Sequence, residues 1–276
     1  MACIATDHAG RSGRYSNLAI ELVLILRLVF RLALRQAEGF VASVLRLLGL
    51  DLPVPDHTTL SRRGRAFANR RPHAVPHGPL HLLIDSTGLK LFGKGEWDGE
   101  RHGRAGRSWR KLHIAVDAET GEIIASVLTG KEAGDAGQVP VLLNQIEGEI
   151  ASVVADGAYD GEPVYQAITA RQPQAPPSIV IPPRRSAILS AQADTAPSQR
   201  DGHIYLIHEQ GRSGWRKVTG HGRRSLVETA IGRYKALIGP RLRARTLANQ
   251  QGEVALGTEV LNRMIRAAKP VSVRIA

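Results

Sequence analysis

Three carboxylates in this 276-residue chain stand where side chains from different elements can meet. Asp85 closes a short apolar run, "LLID", directly before "STG". Asp156 closes a second, "SVVAD", directly before "GAYD". Glu228 is the one acid in the basic stretch "HGRRSLVETAIGRYK", His221 to Lys235. Side chains at strand ends of an open α/β sheet project into the crevice above it, which is where such sheets place their sites. Two aspartates there and a glutamate on a covering helix could converge on a pair of magnesium ions. Hard divalent cations take oxygen ligands, and Mg²⁺ at phosphoryl groups is held by only one or two carboxylates each. Each acid alone has a simpler reading. An aspartate after a strand is commonly a turn former or helix cap, as expected of Asp117 and Asp160. A helical glutamate is commonly an i,i+4 partner, here of Arg224. The combination of all three in a basic chain favours a site.

The charge balance says what such a site would meet. Lys and Arg number 37 against 25 Asp and Glu, a net charge of +12, and the pI is near 10.5. That is the footprint of a phosphate-binding protein. The basic residues are spread over several segments, which favours an extended nucleic-acid surface over a basic tail. On one helix His221, Arg224, Glu228 and Lys235 would form a single stripe beside an apolar one of Val227, Ile231, Tyr234 and Ile238. Packing the apolar stripe on a sheet aims the other at the strand ends, with Arg224 and Lys235 on phosphates either side of Glu228. A second concentration, "GKGEWDGERHGRAGRSWRK", sets Lys94, Arg101, Arg104, Arg107, Arg110 and Lys111 among Trp97 and Trp109. It reads as phosphate contacts or as a solvated loop with packed tryptophans. Trp215 reads as a base-stacking platform or as a core residue. The ten histidines show no metal-ligand spacing.

The elements that must position these residues divide by composition. Residues 16 to about 70 read as helices, with Ser16 capping the first, Gly49 ending the second and Asp56 capping a third, "HTTLSRRGRAF". With Arg62 and Arg63 on the third, this all-α region, residues 1–70, looks like a DNA-binding helix-turn-helix. A proline-rich linker, 71–79, precedes an α/β part, 80–276. There the order is strand, hairpin, helix, strand, helix, strand, then a long helix over about 221–238. That order predicts a ribonuclease-H-like domain with a mixed sheet. The weakly periodic segment near 184–220 reads as a loop or small insertion. Cys3, the only cysteine, excludes an internal disulfide and fits a reducing cytoplasm. The most apolar run, Leu18 to Leu34, is broken by Glu21, Arg27 and Arg31, so neither a membrane span nor a signal peptide is expected.

Together "LLIDSTGLKLFGKGEW", "WRKLHIAVD", "VVADGAYD" and "HGRRSLVETAIGRYK" resemble bacterial insertion-sequence transposases of the DDE type, specifically the insertion-sequence-five family. The resemblance runs from about Gly10 to the C-terminus. Its most specific element is the pattern Tyr-x2-Arg-x3-Glu-x6-Lys, matched here by Arg224, Glu228 and Lys235, with His221 where the tyrosine usually stands.

The resemblance implies that Asp85, Asp156 and Glu228 are the catalytic, metal-binding triad for two Mg²⁺ ions, with Mn²⁺ able to substitute. It implies hydrolysis of a phosphodiester at the element's end and attack of the freed 3′-hydroxyl on target DNA, with one metal activating the attacking oxygen and one stabilising the leaving oxygen. His221, Arg224, Lys235, Arg107, Arg110, Lys111, Trp215, Arg62 and Arg63 are the candidate DNA contacts. The implied partners are the terminal inverted repeats, target DNA and further copies of the chain in a dimer or multimer, in the cytoplasm on the nucleoid. Family members usually carry more residues before the segment "GRSGRYSN", so a shortened copy with weakened end recognition is also expected. Two other readings stay open: a degenerate copy that only binds DNA, and a ribonuclease-H-like nuclease that cuts without joining.

Overall fold

The computed structural model describes residues 14–72, 78–91 and 109–267. Strand β1 (Leu80–Leu91) is the centre of a mixed sheet ordered β3-β2-β1-β4-β5. Strands β2 (Trp109–Asp117) and β3 (Ile123–Gly130) form an antiparallel hairpin on one side of it. Strands β4 (Ile150–Ala155) and β5 (Ser178–Val180) run parallel to it on the other. The expected mixed sheet and hairpin are therefore present. Asp117 closes the hairpin turn by accepting the Thr120 amide at 3.0 Å and its hydroxyl at 2.8 Å.

Side chains alternate across a strand, so parity decides which layer each one meets. Leu82 and Ile84 of β1, with Val153 and Ala155 of β4, join one core. It is covered by helices α4 (Val139–Leu143) and α5 (Glu162–Arg171). Leu83 and Leu89 of β1, with Val154 of β4, join the other. That second core is shared by the N-terminal helices, α1 (Asn17–Val29), α2 (Leu34–Leu47) and α3 (His57–Gly64), and by the C-terminal α8 (Leu247–Ala267). The N-terminal helices thus bury Ile20, Val23, Leu24 and Leu60 in the same apolar cluster as Val254 and Val260, and the break expected at 71–79 does not separate two cores.

Several expected elements take a different form. β1 does not stop at Asp85 but continues to Leu91, because it pairs with β2 as far as Lys90 opposite Trp109. Gly88 allows this: a Cβ there would lie 3.0 Å from the Trp109 ring. Ser16, Gly49 and Asp56 bound the N-terminal helices as expected, Asp56 by accepting the amides of Thr58 and Thr59. The connection from Leu48 to Asp56, however, is longer than the about three- to four-residue turn of a helix-turn-helix. The segment near 184–220 is no simple loop. It contains a long helix, α6 (Gln199–Thr219), kinked at Gly211 (φ 68°). Its start is fixed by Ser198, whose hydroxyl accepts the Asp201 amide while the Asp201 carboxylate accepts the Ser198 amide.

α8 lies beyond the last expected element and is buried nearly all round. Asn262, one of its buried polar residues, is satisfied within the fold. Asn262 accepts the Ile123 amide and donates to the Ile123 carbonyl, both at 2.8 Å, which completes the start of β3. Gly252 lets α8 lie directly on α3, since a Cβ there would stand 2.5 Å from the Gly64 carbonyl oxygen. Gly252→Ala therefore destabilises by about 1–3 kcal/mol, because backbone must move to admit the methyl. Gly232 has no atom within 4 Å of an added Cβ, so Gly232→Ala stabilises by roughly 0.4–1 kcal/mol. Urea unfolding of the two variants should move the midpoint in opposite directions; equal shifts would contradict this packing.

Candidate active site

Parity brings the two aspartates to one side of the sheet. Asp85 shares the face of Leu83 and Leu89, and Asp156, one residue beyond β4, continues the face of Val154. The register places Ile84 beside Ala155, so the two aspartates follow paired residues on adjacent parallel strands. Against that face packs the segment that carries Glu228. It is not one regular helix: a 3₁₀ turn, His221–Arg224, leads into α7 (Ser225–Arg233) and then a wider π-turn, Tyr234–Ile238. Val227, Ala230, Tyr234 and Ile238 seat it in the core.

One guanidinium joins the three carboxylates. Arg224 Nη2 donates to Asp85 Oδ2 at 2.9 Å and stands 3.6 Å from Asp156 Oδ2, while Nη1 donates to Glu228 Oε1 at 2.7 Å. The aspartates each use their other oxygen on local backbone: Asp85 Oδ1 accepts the Ser86 amide, and Asp156 Oδ1 accepts the Ala158 amide, both at 2.8 Å. Asp156 is thus a cap and a member of the cluster at once. Exposure rises outward, from 13% for the Asp85 side chain to 37% for Asp156 and 58% for Glu228. Burial raises the Asp85 carboxyl above its ordinary value, and the charges of Asp156 and Glu228 push the same way; the Ser86 amide and Arg224 oppose them.

The donor chemistry of this set fits a hard divalent cation, since all three residues present carboxylate oxygens to one cationic centre. That centre is the Arg224 guanidinium. Among the described residues no group of three His, Cys, Asp or Glu is arranged to hold a metal ion directly.

The other expected site residues are placed as follows. His221 leaves the expected stripe and is buried: its Nε2 donates to the carbonyl of Ala155, at 3.2 Å, fixing the backbone just before Asp156. Trp215 is 1% exposed and packs on the His221 ring at 5.1 Å, so it is a core residue with no free face for a base. Its Nε1 donates to His203 Nδ1, and His203 Nε2 donates to the Ile179 carbonyl of β5. Lys111 pairs with Asp135 at 3.0 Å, and Arg110 donates to Gln250 at 3.1 Å. Arg63 braces α3 against the start of α1 through Tyr15 O and Asn17 Oδ1, whereas Arg62 is exposed. Lys235 is half-buried on the π-turn. Arg107, Lys94, Arg101, Arg104 and Trp97 lie outside the described residues. Asp160 acts as an ion-pair partner of Arg200, at 2.7 Å, more than as a cap. The role of Arg224 as the bridge of the cluster had one signal in the sequence, its i,i+4 spacing to Glu228.

Removing the bridge leaves the carboxylates facing one another. Arg224→Gln should cost about 1–3 kcal/mol at neutral pH, as expected when charged groups lose their partner. Because the folded state holds the Asp85 proton more tightly than the unfolded chain, the contribution of Asp85 to stability falls as pH rises through the carboxylate range. The variant steepens that fall, so its deficit is largest at pH 7 and shrinks as pH is lowered toward 4. Urea midpoints at the two pH values measure this. A deficit equal at both would mean that Arg224 acts by packing and not by charge.

Comparison with known proteins places the chain in a family. One solved structure with some likeness is that of a piggyBac transposase synaptic complex with hairpin DNA, at 12% identity and a TM-score of 0.44, over 98% of this chain and 71% of that one. A family model described as a transposase DDE domain matches residues 2–94. A second with the same description matches residues 76–263, more than half of the chain, and that span includes Asp85, Asp156 and Glu228. The chain belongs to the DDE-domain transposases.

Proposed function

We propose that this chain binds the terminal inverted repeats of an insertion sequence, hydrolyses phosphodiester bonds at its ends and joins the freed 3′-hydroxyl to target DNA. The insertion-sequence-five type is the reading its Arg224, Glu228 and Lys235 spacing favours. The observation that carries the proposal is the convergence of Asp85, Asp156 and Glu228 on one cationic centre. A ribonuclease-H-like description is supported by the sheet order, with an antiparallel hairpin on one side of β1 and parallel strands on the other. Two Mg²⁺ ions, or Mn²⁺ in their place, would be held by the three carboxylates and would supply activation of the attacking oxygen and stabilisation of the leaving one.

The chain's own residues prepare that chemistry. β1 and β4 present Asp85 and Asp156 from adjacent strands, and the Ser86 and Ala158 amides orient one oxygen of each. His221 fixes the Ala155 carbonyl behind Asp156 and is kept neutral, since burial lowers its pKa. Arg224 holds the carboxylates together as a resident counter-charge and would have to move toward solvent for all three to hold a divalent ion. From there its planar guanidinium would suit the oxygens of the scissile phosphate. Paired element ends require two active sites, so the working form is a dimer or larger assembly on DNA.

A DNA-binding protein without catalysis is the second reading, favoured by the full engagement of the three carboxylates with Arg224. The two separate in one assay with labelled duplexes bearing the flanking ends of the element, supercoiled plasmid and Mg²⁺. The transposase reading predicts cleaved and joined products that fall by more than about 100-fold in Asp85→Ala while duplex binding persists. Binding with no metal-dependent product in the parent protein would leave only the second reading standing.

A further inference from the structure

The N-terminal helices and the segment just before α8 enclose a cleft that none of the three carboxylates lines. Its volume is about 800 Å³, and its lining includes Arg27, Arg35, Arg62, Arg65, Arg243 and Arg245. A neighbouring hollow of about 1050 Å³ shares Arg27, Arg35, Arg243 and Arg245 and adds Arg31, so the two form one groove. These arginines come from α1, the α1–α2 connection, α2, α3, the turn just after α3 and residues 241–246, which only the fold brings together.

The charge in this groove is poorly compensated. Glu253 is the one carboxylate lining it among the described residues, and it is already occupied by the amides of Arg243, at 3.0 Å, and Ala244, at 2.8 Å. It stands 3.9 Å from Arg27, whose guanidinium is buried and whose Nε has no hydrogen-bond partner. Other partners in the groove carry no negative charge: Arg35 donates to His57 Nε2 at 3.3 Å, and Arg243 donates to the Arg31 carbonyl. Arg31 is itself held at φ 53°, a left-handed backbone that a non-glycine residue rarely adopts, so the groove wall is locally fixed. Every cation here is an arginine. A rigid guanidinium fork matches phosphate oxygens in pairs, which a lysine ammonium does not. Among the described residues no Phe, Tyr or Trp lines either hollow, so none of them offers the stacking platform that single strands need.

We propose that this arginine groove is a second DNA contact, taking the phosphate backbone of duplex DNA away from the carboxylate cluster. The inference deepens the transposase reading and rests on it. It makes the N-terminal helices half of a composite surface, with Arg243 and Arg245 supplying the other half.

The test uses the full chain and a fluorescein-labelled 30-base-pair duplex of mixed sequence, with anisotropy followed over a salt series. Arg62 and Arg245 are exposed, so Arg62→Glu/Arg245→Glu should fold as the parent does. Arg62→Gln/Arg245→Gln supplies a milder second pair. The reversal is expected to weaken binding at least about tenfold and to reduce the slope of log Kd against log salt by about 2, one for each phosphate no longer neutralised. The neutral pair should do the same to a lesser degree. A charge-matched control, Lys131→Glu/Arg185→Glu, also on exposed residues, should bind within about twofold of the parent. Equal weakening in the control, unchanged binding in both groove variants, or tighter binding of a single strand of the same length would each overturn the groove. Cleavage that fails while binding still depends on the groove contradicts the catalytic reading alone. A parent that binds no duplex overturns both.

Discussion

Carboxylates brought together at one point of a protein repel one another unless a cation stands among them. Here that cation is Arg224, within hydrogen-bond distance of Asp85 and Glu228 and 3.6 Å from Asp156. At such separations two unit charges interact by about 4 kcal/mol when the effective dielectric is near 20, so neither the repulsion nor its relief is small. Asp85 is the most buried of the three and Glu228 is exposed, so water screens the Asp85 end of the cluster least. The geometry is therefore a balance between three acids and one base.

The rest of the fold can be read as what that balance requires. A sheet covered on both faces buries Leu82 and Ile84 on one side and Leu83 and Leu89 on the other, which leaves Asp85 no choice of face. The helical segment that carries Arg224 and Glu228 is held by Val227, Ala230, Tyr234 and Ile238 below it. Its change from 3₁₀ to α to π winding allows His221 to turn inward to the Ala155 carbonyl while Arg224, three residues on, turns to the acids. Trp215 and His203 extend the same bracing to β5. A site made of parts from β1, β4 and α7 is thus tied to one backbone framework.

Much of this was legible in the residues. The runs "LLID" and "SVVAD" mark adjacent strands by composition, and the i,i+4 spacing of Arg224 and Glu228 marks their pairing. The hairpin, the mixed sheet and the caps at Ser16 and Asp56 follow from local patterns. Other features depend on tertiary contacts that no local pattern encodes. Trp215 and His221 stand in basic surroundings, yet both are buried: His221 bonds to the Ala155 carbonyl of β4, and Trp215 bonds to His203, which in turn bonds to β5. α8 escapes a periodicity argument because its buried faces carry Gln250, Glu253, Glu259 and Asn262 beside Val254 and Leu256. The length of α6 is hidden by Gly211, which kinks it, and by its sparse apolar positions. The arginine groove assembles residues some 180 positions apart, from Arg62 to Arg245, and no spacing rule joins them.

The most direct measurement is the anomalous scattering of Mn²⁺ in crystals of the protein grown with duplex DNA. A peak contacting Asp85 and Asp156, with the Arg224 guanidinium moved out from between the carboxylates, is the result expected of a metal-dependent transposase. Arg224 still bridging the three carboxylates, with no Mn²⁺ peak beside them in the DNA-bound crystal, would contradict it.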